Sequence, residues 1–107
     1  MEKIQNYING ELVPPKSGNY FNNVSPVTGE VYSLIPDSDE HDIDDAVKSA
    51  KEAFHSWSKL SKKQRYDHVM HLADMVENHF EELVKAESKD NGKPEWLARS
   101  VDIPRAS

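Results

Sequence analysis

The sequence predicts a mixed α/β chain with two short β-hairpins, two long amphipathic helices and the start of a third helix. Three observations predict this order. An Asn-Gly pair and a Ser-Pro-Val-Thr-Gly turn fall among short apolar runs before residue 36. Apolar residues then recur every three or four positions from residue 43 to residue 83, which is the period of a helix. The chain therefore divides into a strand region, 1–36, and a helical region, 38–107.

Both hairpins are predicted from their turns. Asn9-Gly10 tolerates the positive φ angles of a type I′ turn, and apolar residues flank it on each side. Pro14-Pro15 then ends the second strand, because proline cannot donate to a ladder. In the second hairpin, strands over 19–24 and 31–35 flank a turn at 25–29, where a proline fixes one φ and a glycine is free to adopt a positive one. We expect all four to be edge or peripheral strands.

The first helix is predicted to begin at Ser38 or Asp39, either of which can cap it. Acidic residues crowd its first turns, where they suit the positive end of the helix dipole. One face carries an apolar stripe that consists of Ile43, Ala46, Val47, Ala50, Phe54 and Trp57. A one-sided stripe of this kind indicates a helix that packs against another surface.

The second helix is predicted to begin with a capping box, in which Ser61 and Gln64 stand three residues apart. It is expected to run unbroken to about Asp90, because Asn91-Gly92 supplies the left-handed residue that ends a helix. Its apolar stripe consists of Val69, Leu72, Val76, Phe80 and Leu83.

A third helix is expected to follow, with Pro94 in its first turn. Its apolar residues are Trp96, Leu97 and Val101. Asp102-Ile103-Pro104 is expected to interrupt it, and Arg105-Ala106-Ser107 is typical of a helix that has just restarted. The chain therefore ends inside an element without a cap, which predicts truncation at this end.

Composition narrows the functional classes. The chain has 13 Lys+Arg against 19 Asp+Glu and a net charge of −6, which argues against nucleic acid or an anionic membrane as a partner. It has no apolar segment of membrane-spanning length and no signal peptide, so we expect a cytoplasmic protein. The absence of cysteine excludes disulfides, thiolate metal sites and a thiol nucleophile within these residues. An apolar fraction of 36%, below the ~45–50% usual for a globular domain, predicts packing onto something larger.

Few residues are candidates for chemistry. His68 and His71 have a spacing that helical metal sites use, but their positions on the second helix favour solvated side chains. Arg65 lies on the apolar stripe, where a guanidinium must extend its charge to water or pair with a carboxylate. We expect a structural ion pair, with substrate recognition as the alternative. Gly29 and Gly92 belong to no phosphate-binding motif. None of these residues is predicted to be catalytic or to bind a cofactor.

An ordered set of motifs resembles the aldehyde dehydrogenase superfamily, from about residue 7 to residue 107. The set comprises Asn9-Gly10, Ser25-Pro26-Val27-Thr28-Gly29-Glu30, the helix over 46–57, Leu72-Ala73-Asp74 and Asp90-Asn91-Gly92-Lys93-Pro94. A second set is similar to the 2-amino/2-hydroxymuconic semialdehyde dehydrogenase branch. It comprises Glu87-Ser88-Lys89-Asp90, Ala98-Arg99 and Asp102-Ile103-Pro104-Arg105.

The resemblance implies a homo-oligomeric parent enzyme with an α/β fold, which uses NAD or NADP to oxidise an aldehyde to a carboxylic acid. Residues 1–107 would be the N-terminal part of its dinucleotide-binding domain, an incomplete edge of a Rossmann-like fold truncated at its C-terminus. In the family, the nucleotide-binding segments, the activating glutamate, the oxyanion-holding asparagine and the nucleophilic cysteine come later. The chain alone is therefore expected to be an inactive scaffold that needs the remainder of the enzyme or a full-length subunit.

One family site maps onto these residues. Many members hold a monovalent cation, Na⁺ or K⁺, with two backbone carbonyls before the Ser-Pro turn and the aspartate of the Asn-Gly-Lys-Pro segment. Those positions are Asn23, Val24 and Asp90. Oxygen ligands suit a hard cation, and one carboxylate with neutral carbonyls favours a low charge. The alternative is that Asp90 only accepts hydrogen bonds near the end of its helix.

A second functional hypothesis is a stand-alone, non-catalytic interaction module. The apolar stripes of its two main helices would dock on a full-length relative or cover each other in a homo-oligomer, since large apolar faces seldom stay exposed. Neither hypothesis requires nucleic acid or a membrane as a partner. The choice of aldehyde, of NAD or NADP, and of oligomeric state is left open by both.

Overall fold

A computed structural model describes residues 1–107, which form two compact units. Unit 1 comprises Met1–Val24 and Glu30–Lys59, and unit 2 comprises Ser25–Gly29 and Leu60–Ser107. All the strands and the first helix lie in unit 1, whereas unit 2 contains one turn and the remaining helices. None of the helices combines the length and the apolar character needed to pass through a lipid bilayer.

Unit 1 has five strands in two sheets. They are β1 (Glu2–Lys3), β2 (Asn6–Ile8), β3 (Glu11–Val13), β4 (Tyr20–Val24) and β5 (Val31–Pro36). β2 and β3 pair antiparallel with Ile8 opposite Glu11, so only Asn9-Gly10 connects them. Both turn residues have positive φ, 54° for Asn9 and 80° for Gly10, as a type I′ turn requires. The first predicted hairpin is confirmed.

The second sheet has the strand order β1-β5-β4. β4 and β5 form the second predicted hairpin, with an irregular register between Asn23 and Val24. β1 pairs in parallel with β5 and places Glu2 opposite Ser33, a pairing that the sequence does not predict. β5 therefore has a neighbour on each side, against the expectation that every strand is peripheral. Its central residue Ser33 is only 1% exposed.

α1 (Glu40–Trp57) is capped by Asp39, the second of the two predicted candidates. The Asp39 carboxylate accepts a hydrogen bond from the Asp42 amide, and Asp42 accepts one in return from the Asp39 amide at 3.1 Å. Asp42 is buried and also accepts from the Lys16 amide at 3.0 Å. The other candidate, Ser38, instead donates to and accepts from the side chain of Asn6 in β2. The helix start is thus tied to the strand region of unit 1.

Unit 2 contains four α-helices and one π-helical turn. They are α2 (Lys62–Asn78), α3 (Phe80–Asn91), α4 (Glu95–Leu97), the π-helical turn (Ala98–Asp102) and α5 (Ile103–Ala106). The Ser61–Gln64 capping box forms as predicted, and Gly92 ends α3 in the left-handed region at φ 78°. The single second helix of the prediction is instead two, because His79 leaves the helical region at φ −106°, ψ 20°. Its ring Nδ1 lies 2.8 Å from the Met75 carbonyl oxygen, which caps the end of α2.

The third predicted helix is not interrupted at Asp102-Ile103-Pro104. The backbone widens into the π-helical turn, in which the Ile103 amide donates to the Ala98 carbonyl. Pro104 follows in the first turn of α5, directly after the wider backbone ring of the π-helical turn. Pro94 takes the N-cap position of α4 and so lies just outside the turn in which it is expected.

The core within unit 2 is small. Its buried residues are Val84, Ala98 and Ile103, and Val76, Phe80 and Leu83 pack partly buried against them. The predicted stripes of the two long helices remain largely open, with Phe54 of α1 63% exposed and Leu72 of α2 64% exposed. The chain therefore leaves most of its large apolar side chains in contact with solvent.

Candidate functional site

The turn at Ser25–Gly29 is built around the Ser25 side chain. Its hydroxyl oxygen accepts hydrogen bonds from the amides of Val27 and Thr28, each at 3.3 Å. The Gly29 amide closes the turn by donating to the Ser25 carbonyl at 2.8 Å, and Gly29 has a φ of 74°. Ser25 is buried at 9% exposure, so its hydroxyl is held by these bonds rather than by water.

The end of α3 is held by a network of its own side chains. Asn91 donates from Nδ2 to Glu87 at 2.6 Å and accepts at Oδ1 from the Lys93 amide at 2.8 Å. The Ser88 hydroxyl donates to the Lys93 carbonyl at 2.5 Å, and the Gly92 amide donates to the Ser88 carbonyl at 3.0 Å. Because the network satisfies groups on both sides of the chain reversal, the segment after α3 has one defined path.

These two family motifs meet in unit 2. A Cβ placed on Gly92 would lie 3.0 Å from Cγ of Pro26 and 3.4 Å from its Cβ. The backbone of Gly92 therefore packs directly on the proline of the turn, and only a residue without a side chain fits there. The close approach, together with the positive φ of Gly92, favours glycine at this position.

Lys93 joins the end of α3 to the π-helical turn. Its Nζ lies 2.9 Å from Oδ2 of Asp102 and 4.0 Å from Oε1 of Glu87. In a separate group, the Arg99 guanidinium donates to Glu81 and lies 3.8 Å from Glu95. The Glu81 carboxylate, first through that hydrogen bond and then through its charge, raises the pKa of Arg99. Both groups connect helical segments within unit 2.

Two of the three predicted cation ligands lie in unit 1, and the third lies in unit 2. Asn23 and Val24 are the last residues of β4 in unit 1, at the irregular step of its pairing with β5. The Asn23 amide nitrogen donates to the Tyr32 hydroxyl at 2.9 Å and to Ser33 at 3.1 Å, which holds this side chain within the sheet. Asp90 is an exposed residue in the last turn of α3 in unit 2. Their joint use as a Na⁺ or K⁺ site stays a prediction.

The remaining candidates lie on α2. His68 and His71 are both exposed, and no group of three or more His, Cys, Asp or Glu residues is arranged to hold a metal ion. The predicted ion pair of Arg65 is absent. The reason is local, since the positions three and four residues away carry no acid and the nearby Asp67 pairs with Lys63 at 2.9 Å.

Comparisons with known proteins identify the family to which this chain belongs. The profile of the aldehyde dehydrogenase family matches residues 12–107. This chain belongs to the aldehyde dehydrogenase family. The 2-aminomuconic semialdehyde dehydrogenase of Homo sapiens is 45% identical over 103 residues, which are 96% of this chain and 21% of that protein. Acetaldehyde dehydrogenase 2 of Cupriavidus necator is 36% identical over 105 residues, 98% of this chain and 21% of that protein.

Solved structures match the same share of this chain as the related sequences do. The NAD⁺ complex of the aldehyde dehydrogenase from Bacillus cereus matches with a TM-score of 0.91 and 40% identity, over 96% of this chain and 21% of the solved one. The chain thus spans about a fifth of the length of the aldehyde dehydrogenases it matches. The resemblance to the aldehyde dehydrogenase superfamily expected from the ordered motifs is confirmed, and relatives named 2-aminomuconic semialdehyde dehydrogenase are 45% identical to this chain.

The glycines and the starts of the two long helices lack the features of a dinucleotide-binding motif. Each of the four glycines stands singly at a turn, so none forms a glycine-rich phosphate loop. The N-termini of the two long helices, the usual positions for a pyrophosphate, are closed by their own side chains, Asp39 with Asp42 and Ser61 with Gln64. Two carboxylates at the start of α1 would repel a phosphate. That NAD is bound by the remainder of the enzyme stays a prediction.

Proposed function

We propose that this chain is the N-terminal scaffold of an NAD-dependent aldehyde dehydrogenase that oxidises an aldehyde to a carboxylic acid. The extent of the likeness carries the proposal, because it covers 96% of this chain but only 21% of the Bacillus cereus enzyme. The thiol nucleophile that the family uses has no counterpart here, since these residues include no cysteine. In this proposal catalysis and cofactor binding belong to the rest of the protein.

The exposed apolar faces support a scaffold role. Ile43 and Phe54 on α1 are 61% and 63% exposed, and Val69 and Leu72 on α2 are 57% and 64% exposed. Burial of such side chains is favourable by roughly 1.5–3 kcal/mol each, so both helices gain stability when another surface covers them. The remaining four-fifths of the family fold would provide that surface.

The names of the relatives support a substrate class, and a solved NAD⁺ complex supports a cofactor. Four relatives at 45% identity are named 2-aminomuconic semialdehyde dehydrogenase, whereas the acetaldehyde dehydrogenase of Cupriavidus necator reaches 36%. We therefore expect an unsaturated semialdehyde as substrate, with NAD as the hydride acceptor. Location in the cytoplasm, a Na⁺ or K⁺ ion on Asn23, Val24 and Asp90, and assembly of the parent into a homo-oligomer stay predictions.

The test is an assay of the native polypeptide, isolated from its source cells with an antibody against residues 1–107. We expect NADH to form with a muconic semialdehyde faster than with acetaldehyde, and thiol alkylation to stop the reaction. Residues 1–107 expressed alone serve as the control and should form no NADH. A native polypeptide that forms no NADH with any aldehyde, at full cofactor concentration, would contradict the proposed activity.

The open stripes of α1 and α2 support one other candidate function, a non-catalytic module that docks on a full-length relative or associates with itself. Sedimentation of residues 1–107 distinguishes the two. Concentration-dependent dimers with cooperative unfolding would favour the module, whereas a poorly cooperative, partly helical monomer is what an incomplete scaffold predicts.

A further inference from the structure

We infer that Asn9 is a deamidation site of this protein, and that the fold protects Asn91 from the same reaction. Asn-Gly occurs twice in the chain, at Asn9-Gly10 and at Asn91-Gly92. Glycine is the least hindered residue to follow an asparagine in this chemistry, because it has no Cβ beside the attacking nitrogen. The two pairs therefore share the same local chemistry and differ in the structure around them.

The reaction needs only water. The main-chain nitrogen of Gly10 loses its proton and attacks the side-chain amide carbon of Asn9. A carbon–nitrogen bond forms in a cyclic imide, the bond to the amide NH₂ breaks, and ammonia leaves with the proton. Water then adds to one of the two imide carbonyls and yields aspartate or isoaspartate. The net change converts asparagine and water to a carboxylate residue and an ammonium ion, without any redox step.

The groups that react at Asn9 are accessible. Asn9 and Gly10 are both exposed at the tip of the β2–β3 hairpin, and the Gly10 amide donates no hydrogen bond. A single hydrogen bond restrains the Asn9 side chain, donated by the Ser49 hydroxyl to Oδ1 at 3.1 Å, and none holds its NH₂ group. The hairpin contains only three residue pairs, so it opens at little cost to reach the geometry of attack.

The corresponding groups at Asn91 are all occupied. Its Nδ2 donates to Glu87 at 2.6 Å, and its Oδ1 accepts from the Lys93 amide at 2.8 Å. The attacking nitrogen, that of Gly92, donates to the Ser88 carbonyl at 3.0 Å. Reaction at Asn91 thus requires three hydrogen bonds to break together, which opens the end of α3.

The test is peptide mapping by mass spectrometry after incubation of the full native protein in mildly alkaline buffer. We expect Asn9 to be converted at least about tenfold faster than Asn91, a ratio set by the cost of opening the end of α3. In concentrated urea the two rates should become equal, since both sites are Asn-Gly. Equal rates in the native protein, or a ratio that persists in urea, would overturn the inference.

A variant tests the protection itself. Glu87→Ala removes the acceptor of the Asn91 amide and should raise the rate at Asn91 several-fold, while the rate at Asn9 in the other unit stays unchanged. No change at Asn91 would show that the side-chain network is not what protects it. The inference concerns the chain itself, so it stands or falls independently of the proposed enzymatic function.

Discussion

The contact between Gly92 and Pro26 predicts that a side chain at position 92 lowers the stability of the end of α3. In Gly92→Ala the new methyl group would lie 3.0 Å from Cγ of Pro26, and the backbone would have to keep a φ of 78°. A non-glycine residue in the left-handed region costs about 1–2 kcal/mol, and overpacking adds roughly 1–3 kcal/mol. We therefore expect a loss of about 2–5 kcal/mol in the local free energy of opening. Hydrogen exchange at the amides of α3 in the native protein measures it.

Gly29→Ala is the matched control. Gly29 lies in the same unit at φ 74°, but a Cβ there would meet nothing within 4 Å, so only the backbone cost of about 1–2 kcal/mol applies. The double variant Pro26→Ala, Gly92→Ala should recover the overpacking part, because the proline ring is gone. If Gly92→Ala is no worse than Gly29→Ala, the close packing of the turn on the end of α3 is refuted.

Three further predictions concern single sites. Val84→Ala removes two methyl groups from a side chain that is 0% exposed, and should lower the stability of unit 2 by about 2–3 kcal/mol. Urea unfolding measures this loss, and a loss of less than half would show that the core repacks around the smaller side chain. Asp39→Ala removes the cap of α1 and should lower its local stability, measured by hydrogen exchange, by about 1–2 kcal/mol. Ser38→Ala is the control, and an effect as large as that of Asp39→Ala would contradict the role of Asp39 as the cap. Asp45, through a hydrogen bond and its charge, raises the pKa of Lys16, so the stabilisation is present below the ordinary lysine pKa and disappears as the pH rises through the raised one. An NMR titration of the Lys16 amine should show a midpoint that falls in Asp45→Asn, and an unchanged midpoint would exclude the pair.

Local chemistry determines the elements that the sequence predicts correctly. The Asn9-Gly10 turn, the Ser61 capping box and the Gly92 helix end each depend on residues within a few positions of one another. Their geometry is set by positive φ or by reciprocal hydrogen bonds, and both leave a signature in residue types. Such features form in the same way whatever the rest of the chain does.

The incorrect predictions involve tertiary partners or subtle backbone changes. β1 is a strand only because β5 lies beside it, and two residues carry no period of their own. No glycine or proline marks the break at His79. The apolar residues on either side of it also keep the spacing of one continuous helix. At Pro104 a π-helical turn replaces the expected interruption, because one wider backbone ring accommodates the proline.

The candidate cation site could be predicted only as a set of residue identities. The resemblance supplied Asn23, Val24 and Asp90, whereas two of these ligands would be backbone carbonyls, which no residue type encodes. Their positions depend on the irregular step in β4 and on the network that fixes the end of α3. The resemblance thus supplies the residues of the candidate site, whereas local structure sets the positions of their backbone groups.

The intact mass of the native polypeptide tests the central claim most directly. An antibody against residues 1–107 would isolate it from its source cells for mass spectrometry. If the chain is the scaffold of an aldehyde dehydrogenase, the mass should be about five times that of this 107-residue segment, since the chain spans 21% of its relatives. A native product with the mass of this segment alone would contradict the scaffold of a catalytic parent and would favour the non-catalytic module.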